Sequence, residues 1–484
     1  MKSPLERAFE PEAFRELGHR VVDLLADHLS SALSRKGRVV NGEGPEVEFA
    51  FWAQKMQEPS GEAFEFLDEF VKRAIHLHHP RYMGHQVCAP APVAALAGLV
   101  SELLNNGMAV YEMGPSATAL ERWIIERTSD LLGMPQGSGF LTSGGTLAMT
   151  TALLAARAKQ VGGAIESGTE PKWAIMASAE AHYCSARAAH VMGWGRNGFA
   201  VVPVDARFKM RVDLLDEVFE QCVLQGRTPV AVVGSACTTS TGSYDDLNAI
   251  ADFCERRGLW FHVDGAHGAA VAFCSELRER LVGIERADSV VLDFHKLLLT
   301  PALATAVVFR DGSQSWSAFE QKAQYLWDAS REAEWFNVGR RSFECTKLAM
   351  SLKIASIWRV HGEGLFVENL RRVHATAVLF DEILRQDERF ETAVRPESNI
   401  VCFRVKTIGL DVDAANELQR KIRAAVVSAG EFYIVQTVLK GEVWLRTALM
   451  NPFTSESDLR ALIEVIGRHC APGKQPSVLL AELR

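Results

Sequence analysis

The sequence has no long hydrophobic run. Its most apolar stretches, residues 87–100 and 297–309, fall short of the roughly 18 residues that a transmembrane helix needs, and both contain proline. The first residues, MKSPLERAFEPEAFRE, lack the apolar region of a secretory signal peptide. The pattern predicts a cytoplasmic protein with no membrane partner.

Basic clusters and paired cysteines are also missing. The 52 Lys and Arg residues are outnumbered by 60 Asp and Glu residues, and no Lys/Arg run stands out, so the sequence predicts no nucleic-acid partner. The nine cysteines are odd in number and form no C-x-x-C pair, which argues against a disulfide framework or a zinc site. We expect reduced, mostly buried cysteines and no metal.

Common nucleotide and metalloprotease motifs are absent. The chain has no Walker A sequence, no G-x-G-x-x-G after a strand and no H-E-x-x-H. What remains is 484 residues with 48% hydrophobic and 23% charged positions, the composition of a globular protein of about two or three domains.

Between about 80 and 310, short apolar runs alternate with helical patterns. The runs are apolar at consecutive positions, which is typical of strands buried on both faces, so a mostly parallel sheet flanked by helices is expected. Ligands bind at the carboxyl ends of the strands in such sheets. The runs are residues 172–178, 199–204, 229–235, 259–264, 289–293 and 305–310, and the helical patterns are 146–161, 213–226 and 246–258.

The flanking regions have a different pattern. Residues 12–34 form an amphipathic helix, and strands and helices that follow position 345 are typical of a smaller α+β domain. We therefore predict an N-terminal helical segment at 1–78 that interlocks with a second copy, a large ligand-binding domain at 79–345 and a small domain at 346–484.

Two features at predicted strand ends suit an anionic cofactor with a ring. The Ser-Gly-Gly-Thr turn at 143–146 opens directly into a helix and could hold a phosphate, although a simple glycine-rich helix cap would have the same sequence. Asp264 ends an apolar strand, where a carboxylate needs a cation or several donors, and a protonated ring nitrogen would be one such partner. An Asp that caps the next turn is equally compatible with the pattern.

A lysine and a histidine follow two other strands. Lys296 lies between a buried strand and an apolar run, so burial is expected to lower its pKa and make the amine available for Schiff-base chemistry, unless it reaches solvent. His182 lies in a strand-to-helix loop, where it could stack on a ring or move a proton, although a lone histidine is more often structural.

In combination, these four features predict a pyridoxal 5′-phosphate (PLP) site. The turn anchors the phosphate, the aspartate keeps the pyridine nitrogen protonated and the lysine holds the aldehyde as an imine.

The chain also resembles a known family, the group II PLP-dependent amino-acid decarboxylases, which include glutamate, cysteine-sulfinate, diaminobutyrate and aromatic amino-acid decarboxylases. The resemblance implies a homodimer with the PLP-dependent transferase type I (aspartate aminotransferase-like) α/β fold. The similar stretches cover most of the chain in family order: 79–106, 111–122, 141–149, 181–189, 236–247, 260–268, 293–296 and 444–454.

The resemblance also implies a role for individual residues. Lys296 in DFHK would be the Schiff-base lysine, Asp264 the partner of the pyridine nitrogen, and His182 and Ala266 the neighbours of the two ring faces. The remaining implied contacts are Gly145, Thr146 and His295 to the phosphate, Thr238 and Thr239 near the cofactor, and Gln86 and Arg446 to a substrate carboxylate.

One segment departs from the family pattern. Relatives carry a mobile loop whose tyrosine returns a proton after CO2 leaves, but the corresponding residues 325–344 contain only Tyr325, at a different family position, and Trp335 and Phe336 occupy the expected region. Simple decarboxylation of an L-amino acid, with an acidic one favoured weakly by Gln86, is therefore one hypothesis. The alternative is another PLP-dependent reaction on the same scaffold. It could be decarboxylation coupled to oxidative deamination, which gives an aldehyde, or it could be transamination or C–C bond chemistry. A non-catalytic dimeric scaffold is disfavoured because the cofactor residues are retained.

Overall fold

The computed structural model describes residues 2–59, 61–162, 168–316, 318–319 and 335–469. The chain divides into two compact units. The larger unit comprises Gln86–Asp381 and Thr392–Cys402, and the smaller one comprises Met1–His85, Glu382–Glu391 and Phe403–Arg484.

A seven-stranded sheet forms the centre of the larger unit, with the order β1-β7-β6-β5-β4-β2-β3. Neighbouring strands from β2 to β6 are parallel, whereas β7 runs antiparallel to both β6 and β1. The sheet is mostly parallel, as the consecutive apolar runs predicted. The strands are β1 Ser138–Thr142, β2 Trp173–Ser178, β3 Phe199–Val202, β4 Thr228–Ser235, β5 Trp260–Asp264, β6 Ser289–Asp293 and β7 Thr305–Phe309.

Helices of the larger unit begin at residues suited to helix ends. Pro92 and Pro115 begin two of the helices, at a position where the missing N–H of proline is not needed. The side chain of Asp246 caps the helix that starts at Leu247. The helices are α5 Pro92–Leu104, α6 Pro115–Leu131, α7 Gly145–Gln160, α8 Cys184–Val191, α9 Leu215–Leu224, α10 Leu247–Arg257, α11 Ser351–His361 and most of α12 Glu363–Gln386.

The smaller unit joins both ends of the chain. Arg35 forms an ion pair with the buried Asp458 at 2.7 Å, and Val39 donates to the carbonyl of Gly430 at 2.8 Å. Its helices are α1 Pro4–Ala8, α2 Pro11–Leu33, α3 Pro45–Lys55, α4 Ala63–Arg73, α13 Val412–Ala429 and α14 Glu456–Arg468, and the strands of the second sheet, in the order β10-β11-β9-β8, are β8 Phe390–Thr392, β9 Ile400–Val405, β10 Val435–Leu439 and β11 Glu442–Ala448.

These units differ from the three segments expected from sequence. Residues 346–381 group with the large unit because α11 packs against α5 and α6, where Ser351 Oγ donates to the carbonyl of Ala117 at 2.8 Å. The N-terminal segment groups with the C-terminal residues rather than standing alone. Across the described ranges, no helix is both long and apolar enough to cross a membrane, and no cluster of His, Cys, Asp or Glu could hold a metal.

Candidate active site

The strand ends that carry the predicted residues lie at one edge of the larger sheet. In the register of the sheet, Thr142 of β1 lies opposite Thr305 of β7, which lies opposite Asp293 of β6. Asp264 of β5 lies opposite Val291 of β6. The turn after β1, the aspartate of β5 and the lysine loop after β6 therefore open onto the same edge.

The turn after β1 brings backbone amides to this edge. Gly144 has a φ of 123°, a left-handed conformation that favours glycine, and it caps α7. Gly145 and Thr146 lie in the first turn of α7, whose amides have no carbonyl partner within the helix. A Cβ at position 145 would lie 3.5 Å from both carboxylate oxygens of Asp293, in ordinary van der Waals contact, which places this turn directly beside Asp293. The turn can thus present N–H groups to a phosphate.

Asp264 is held at the end of β5 by a tight turn. Its Oδ1 accepts a hydrogen bond from the N–H of Ala266 at 3.3 Å. A Cβ at position 265 would lie 2.4 Å from the Cβ of Ala269, so only glycine fits. Burial raises the pKa of Asp264, although the positive charge of Lys296 and the ring of His182 oppose this shift. A protonated ring nitrogen would stabilise the carboxylate further.

Lys296 lies beside an acidic residue that the sequence analysis did not assign to the site. Its Nζ is 3.0 Å from Oδ2 of Asp293, and the hydroxyl of Thr305 donates to the other oxygen of that carboxylate at 2.5 Å. Burial by itself lowers the pKa of Lys296, but Asp293 and Asp264 outweigh burial, so the pKa is raised. The expectation of a lowered pKa is therefore wrong. The i,i+3 spacing of Asp293 and Lys296 in DFHK was the available signal.

His295 and His182 lie near the ion pair of Asp293 and Lys296. His295 Nδ1 lies 2.9 Å from the carbonyl oxygen and 3.2 Å from the nitrogen of Ala304, and its Nε2 is 3.6 Å from Oδ2 of Asp293. The half-buried His182 accepts from the N–H of Cys184 at 3.4 Å through Nδ1. Burial lowers the pKa of His182, and Lys296 adds to this effect while Asp264 opposes it. A neutral imidazole is suited to stack on a ring.

The structure gives Thr238 a role within its own loop. Its hydroxyl lies 2.9 Å from that of Thr241 and accepts from the N–H of Ser243 at 3.1 Å, and the residue is buried. Thr239 is exposed. The side chain of Thr238 therefore shapes the loop after β4, and a cofactor contact of either threonine stays a prediction.

The two predicted substrate residues lie in different units. Gln86 belongs to the larger unit, and its buried Nε2 has no hydrogen-bond partner in the part of the chain that the structure describes. The residues after Gln86 lie against the loop that follows Lys296, because the N–H of Ala91 donates to the carbonyl of Leu299 at 2.8 Å. The amide of Gln86 is thus available for a ligand.

Arg446 lies on β11 of the smaller unit, where it is 5% exposed and opposite Val435. Burial lowers the pKa of His85 in the same unit, and Arg446 and Arg423 lower it further. These two arginines therefore form a local positive potential around His85.

Most of the atypical loop falls outside the described residues. Tyr325 and residues 328–334 lie outside the described residues, and we predict that the segment 328–340 covers the mouth of the cofactor pocket. Trp335 is 41% exposed and packs under the guanidinium of Arg122, with Cζ 4.1 Å from the ring centroid. Phe336 packs edge-on against Tyr111 at 5.5 Å.

Comparison with known proteins agrees with this geometry. A family described as "Pyridoxal-dependent decarboxylase conserved domain" matches residues 52–406. The L-2,4-diaminobutyrate decarboxylase of Rhizobium meliloti (strain 1021) is 31% identical over 405 residues, which cover 82% of this chain and 79% of that protein. Cysteine sulfinic acid decarboxylase of Mus musculus is 30% identical over 358 residues, 71% of each chain.

Solved structures share the fold. The crystal structure of mouse CSAD superposes with a TM-score of 0.88 at 25% identity and covers 95% of this chain and 99% of that one. That of Oryza sativa TDC with PLP and tryptamine has a TM-score of 0.86 at 22% identity and covers all of both chains. These likenesses confirm the predicted type I α/β fold.

Proposed function

Because the chain belongs to the pyridoxal-dependent decarboxylase family, we propose that it converts a small L-amino acid with an acidic side chain to the corresponding amine and CO2. Family membership makes it a PLP-dependent carboxy-lyase, as the sequence predicted. The curated relatives are amino-acid decarboxylases, so the alternative outcomes, aldehyde formation included, are not favoured.

The residues at the sheet edge fit PLP. The first-turn amides of α7 suit its phosphate. Burial disfavours the charged form of Asp264, so a cationic partner such as a protonated pyridine nitrogen would stabilise this carboxylate. When bound, PLP supplies an electron sink for the electron pair that is released as CO2 leaves. We propose Gly145, Thr146 and His295 as the phosphate contacts, Asp264 as the partner of the pyridine nitrogen and His182 as the stacking residue.

Proton movement falls to the chain's own side chains. Lys296 must be neutral to attack the aldehyde carbon, and Asp293, 3.0 Å from Nζ, stabilises its charged form and so opposes the loss of that proton. A proton must then return to the substrate Cα. Of the two candidates, the pKa of Lys296 is raised and that of His182 is lowered, so Lys296 is the one that carries a proton at neutral pH, and we propose its Nζ as the donor.

The observation that carries the substrate proposal is the buried Arg446 with its neighbour Arg423. Their joint effect on the pKa of His85 indicates a positive potential, which suits a substrate that carries a second anionic group. Within the described residues, Nε2 of Gln86 has no hydrogen-bond partner, and we keep it as a proposed donor to the substrate. A substrate with a cationic side chain is the second candidate, because the 31% identical relative is named a 2,4-diaminobutyrate decarboxylase.

The test is amine release from a panel of L-amino acids that includes aspartate, glutamate, cysteine sulfinate, 2,4-diaminobutyrate and tryptophan. We expect an acidic substrate to be preferred, and Arg446→Gln to lower kcat/KM for it by about 100-fold, while the exposed control Arg420→Gln has no effect. Conversion of only diaminobutyrate or tryptophan would contradict the acidic preference. An aldehyde with hydrogen peroxide in place of the amine would revive the alternative chemistry.

We also propose a homodimer that forms through α5. Exposed apolar side chains occur on this helix at i, i+3, i+4, i+7 and i+8, which places them on one face. Together they form a contiguous apolar patch, whereas single exposed leucines on a surface need no explanation. These residues are Leu96, Leu99, Val100, Leu103 and Leu104, each about half exposed or more. Sedimentation of the wild type should give a dimer, and Leu103→Asp should dissociate it. The control Val282→Asp changes an exposed valine outside this face and should leave the dimer intact. A wild-type monomer with full activity would contradict the proposal.

The proposed location is the cytoplasm. Eight cysteines in the described ranges are free thiols and seven of them are buried, which agrees with a reducing compartment. Fractionation of the source cells with an activity assay tests this location, and activity confined to an oxidising compartment would refute it.

A further inference from the structure

A second cavity, of about 500 Å³, lies in the larger unit. It is lined by α6, by the turn and strand around Gly137–Gly139, and by Trp335, Val338 and Arg341. None of the residues proposed for the cofactor or substrate lines it. Its volume is within the range of small-molecule sites.

Arg341 reaches this cavity with two of its three guanidinium nitrogens unbonded among the described residues. The side chain is 3% exposed, and Nη1 donates to the hydroxyl of Ser138 at 3.0 Å. Within the described ranges, Nε and Nη2 have no hydrogen-bond partner. The rings of Phe140 and Trp316 lie 5.3 and 5.1 Å from Cζ. The open Nε–Nη2 edge is the one that binds a carboxylate through two parallel hydrogen bonds.

In the part of the chain that the structure describes, no carboxylate forms an ion pair with Arg341. Lys347 Nζ lies 2.5 Å from Oε1 of Glu121, and both side chains are buried, so these two charges balance each other. Burial lowers the pKa of Arg341 to about 10, with Glu121 opposing the shift, so the guanidinium stays charged at neutral pH. A buried cation without a counter-ion is costly, and an anion in the cavity would remove that cost.

The rim limits how much negative charge a ligand can carry. Arg122 is engaged by Glu126 at 2.6 Å, and Asp130 also lines the cavity. These acidic groups disfavour a dianion. Gln136, an exposed lining residue, provides a neutral position for altering the local charge.

We propose that this cavity is a second ligand site, which binds a small molecule with one carboxylate through Nε and Nη2 of Arg341. The site is linked to the cofactor edge through β1. Arg341 bonds to Ser138 at the start of that strand, and Lys347 bonds to the carbonyl of Leu141 near its end. Occupancy should therefore stabilise β1 and slow the loss of PLP from the turn that follows.

The test is calorimetric titration of the holoenzyme with propionate, with propionamide and chloride as comparisons at constant ionic strength. We expect saturable binding of propionate only. Arg341→Gln should weaken it at least 10-fold and Arg341→Lys several-fold, whereas the exposed control Arg359→Gln should leave it unchanged. PLP release, followed by absorbance, should slow when propionate is present.

Charge changes at the rim test the site without altering the buried arginine. Gln136→Glu should weaken propionate binding about 3- to 10-fold, and Gln136→Lys should strengthen it. Equal binding of propionamide or chloride, or affinities that do not respond to the changes at 341 and 136, would overturn the proposal. Binding that is lost in Arg446→Gln and kept in Arg341→Gln would locate the carboxylate in the active site instead and would also overturn it.

Discussion

Replacement of Asp293 by Asn should move the pH at which Lys296 becomes reactive. Asp293 is 2% exposed at its side chain, and its Oδ2 is 3.0 Å from Nζ of Lys296. At an effective dielectric constant of about 20, two unit charges at this distance interact by roughly 5 kcal/mol. Burial of the lysine offsets much of this energy, and Asp264 still contributes. We therefore expect the pKa of Lys296 to fall by about one to two units, or about 10- to 100-fold more neutral amine at pH 7.

The assay is the rate at which the apoenzyme captures PLP, followed by the absorbance of the lysine-bound cofactor between pH 8 and 12. In the wild type, the rate should rise with pH through the raised pKa of Lys296. In Asp293→Asn, the midpoint should lie one to two units lower. Loss of a negative charge near the anionic cofactor would also raise the rate at every pH, so the midpoint and not the height of the profile is the readout.

Thr305→Val is the matched control. It removes the 2.5 Å hydrogen bond to Oδ1 of Asp293 but keeps the carboxylate charge. We expect its midpoint to stay within about half a unit of the wild type, since the ion pair is retained. An unchanged or raised midpoint in Asp293→Asn would refute the conclusion that this carboxylate outweighs burial at the lysine.

Three further changes test other parts of the site and its support. Lys296→Ala should abolish both turnover and the visible absorbance of the lysine-bound cofactor; normal turnover would remove the lysine from its proposed role. Asp264→Asn should keep the fold, by circular dichroism, but lower kcat by at least about 100-fold, because a neutral partner no longer stabilises a protonated pyridine; a fully active variant would refute that pairing. Burial raises the pKa of Asp245 to about 6 from 3.8, so its contribution to stability is complete below about pH 4 and is lost as pH rises through 6. Between pH 4 and pH 7, the free energy of unfolding in urea should therefore fall by up to roughly 3 kcal/mol more in the wild type than in Asp245→Asn. Parallel pH profiles of the two proteins would contradict the raised pKa of Asp245.

The alternating pattern of the sequence was sufficient for the sheet and its functional edge. The predicted run at 259–264 became β5, Trp260–Asp264, and the run at 289–293 became β6, Ser289–Asp293. Strands buried on both faces have to be apolar at every position, so their ends are clear in the sequence. Since parallel strands end at one edge, Asp264 and Lys296 could be placed together without a structure.

Features that depend on long-range pairing could not be predicted in this way. The apolar runs read from the sequence did not include β1, and no local signal indicates that β7 inserts antiparallel between β1 and β6. The pKa of Lys296 depends on competition between burial and two carboxylates, and the sequence gives no measure of their distances. The assignment of residues 346–381 likewise depends on the packing of α11 against α5 and α6.

The position of β7 has a consequence for the order of events during synthesis. Among the described strands, β1 pairs with β7 alone, and β7 starts at Thr305, long after Thr142 has been made. At about 5 to 20 residues per second, the ribosome needs on the order of 10 to 30 s to cover this interval. During that time β1 has no neighbour to hold it at the edge of the sheet. The phosphate turn therefore forms late, and a nascent chain should be unable to retain PLP until β7 has left the ribosome.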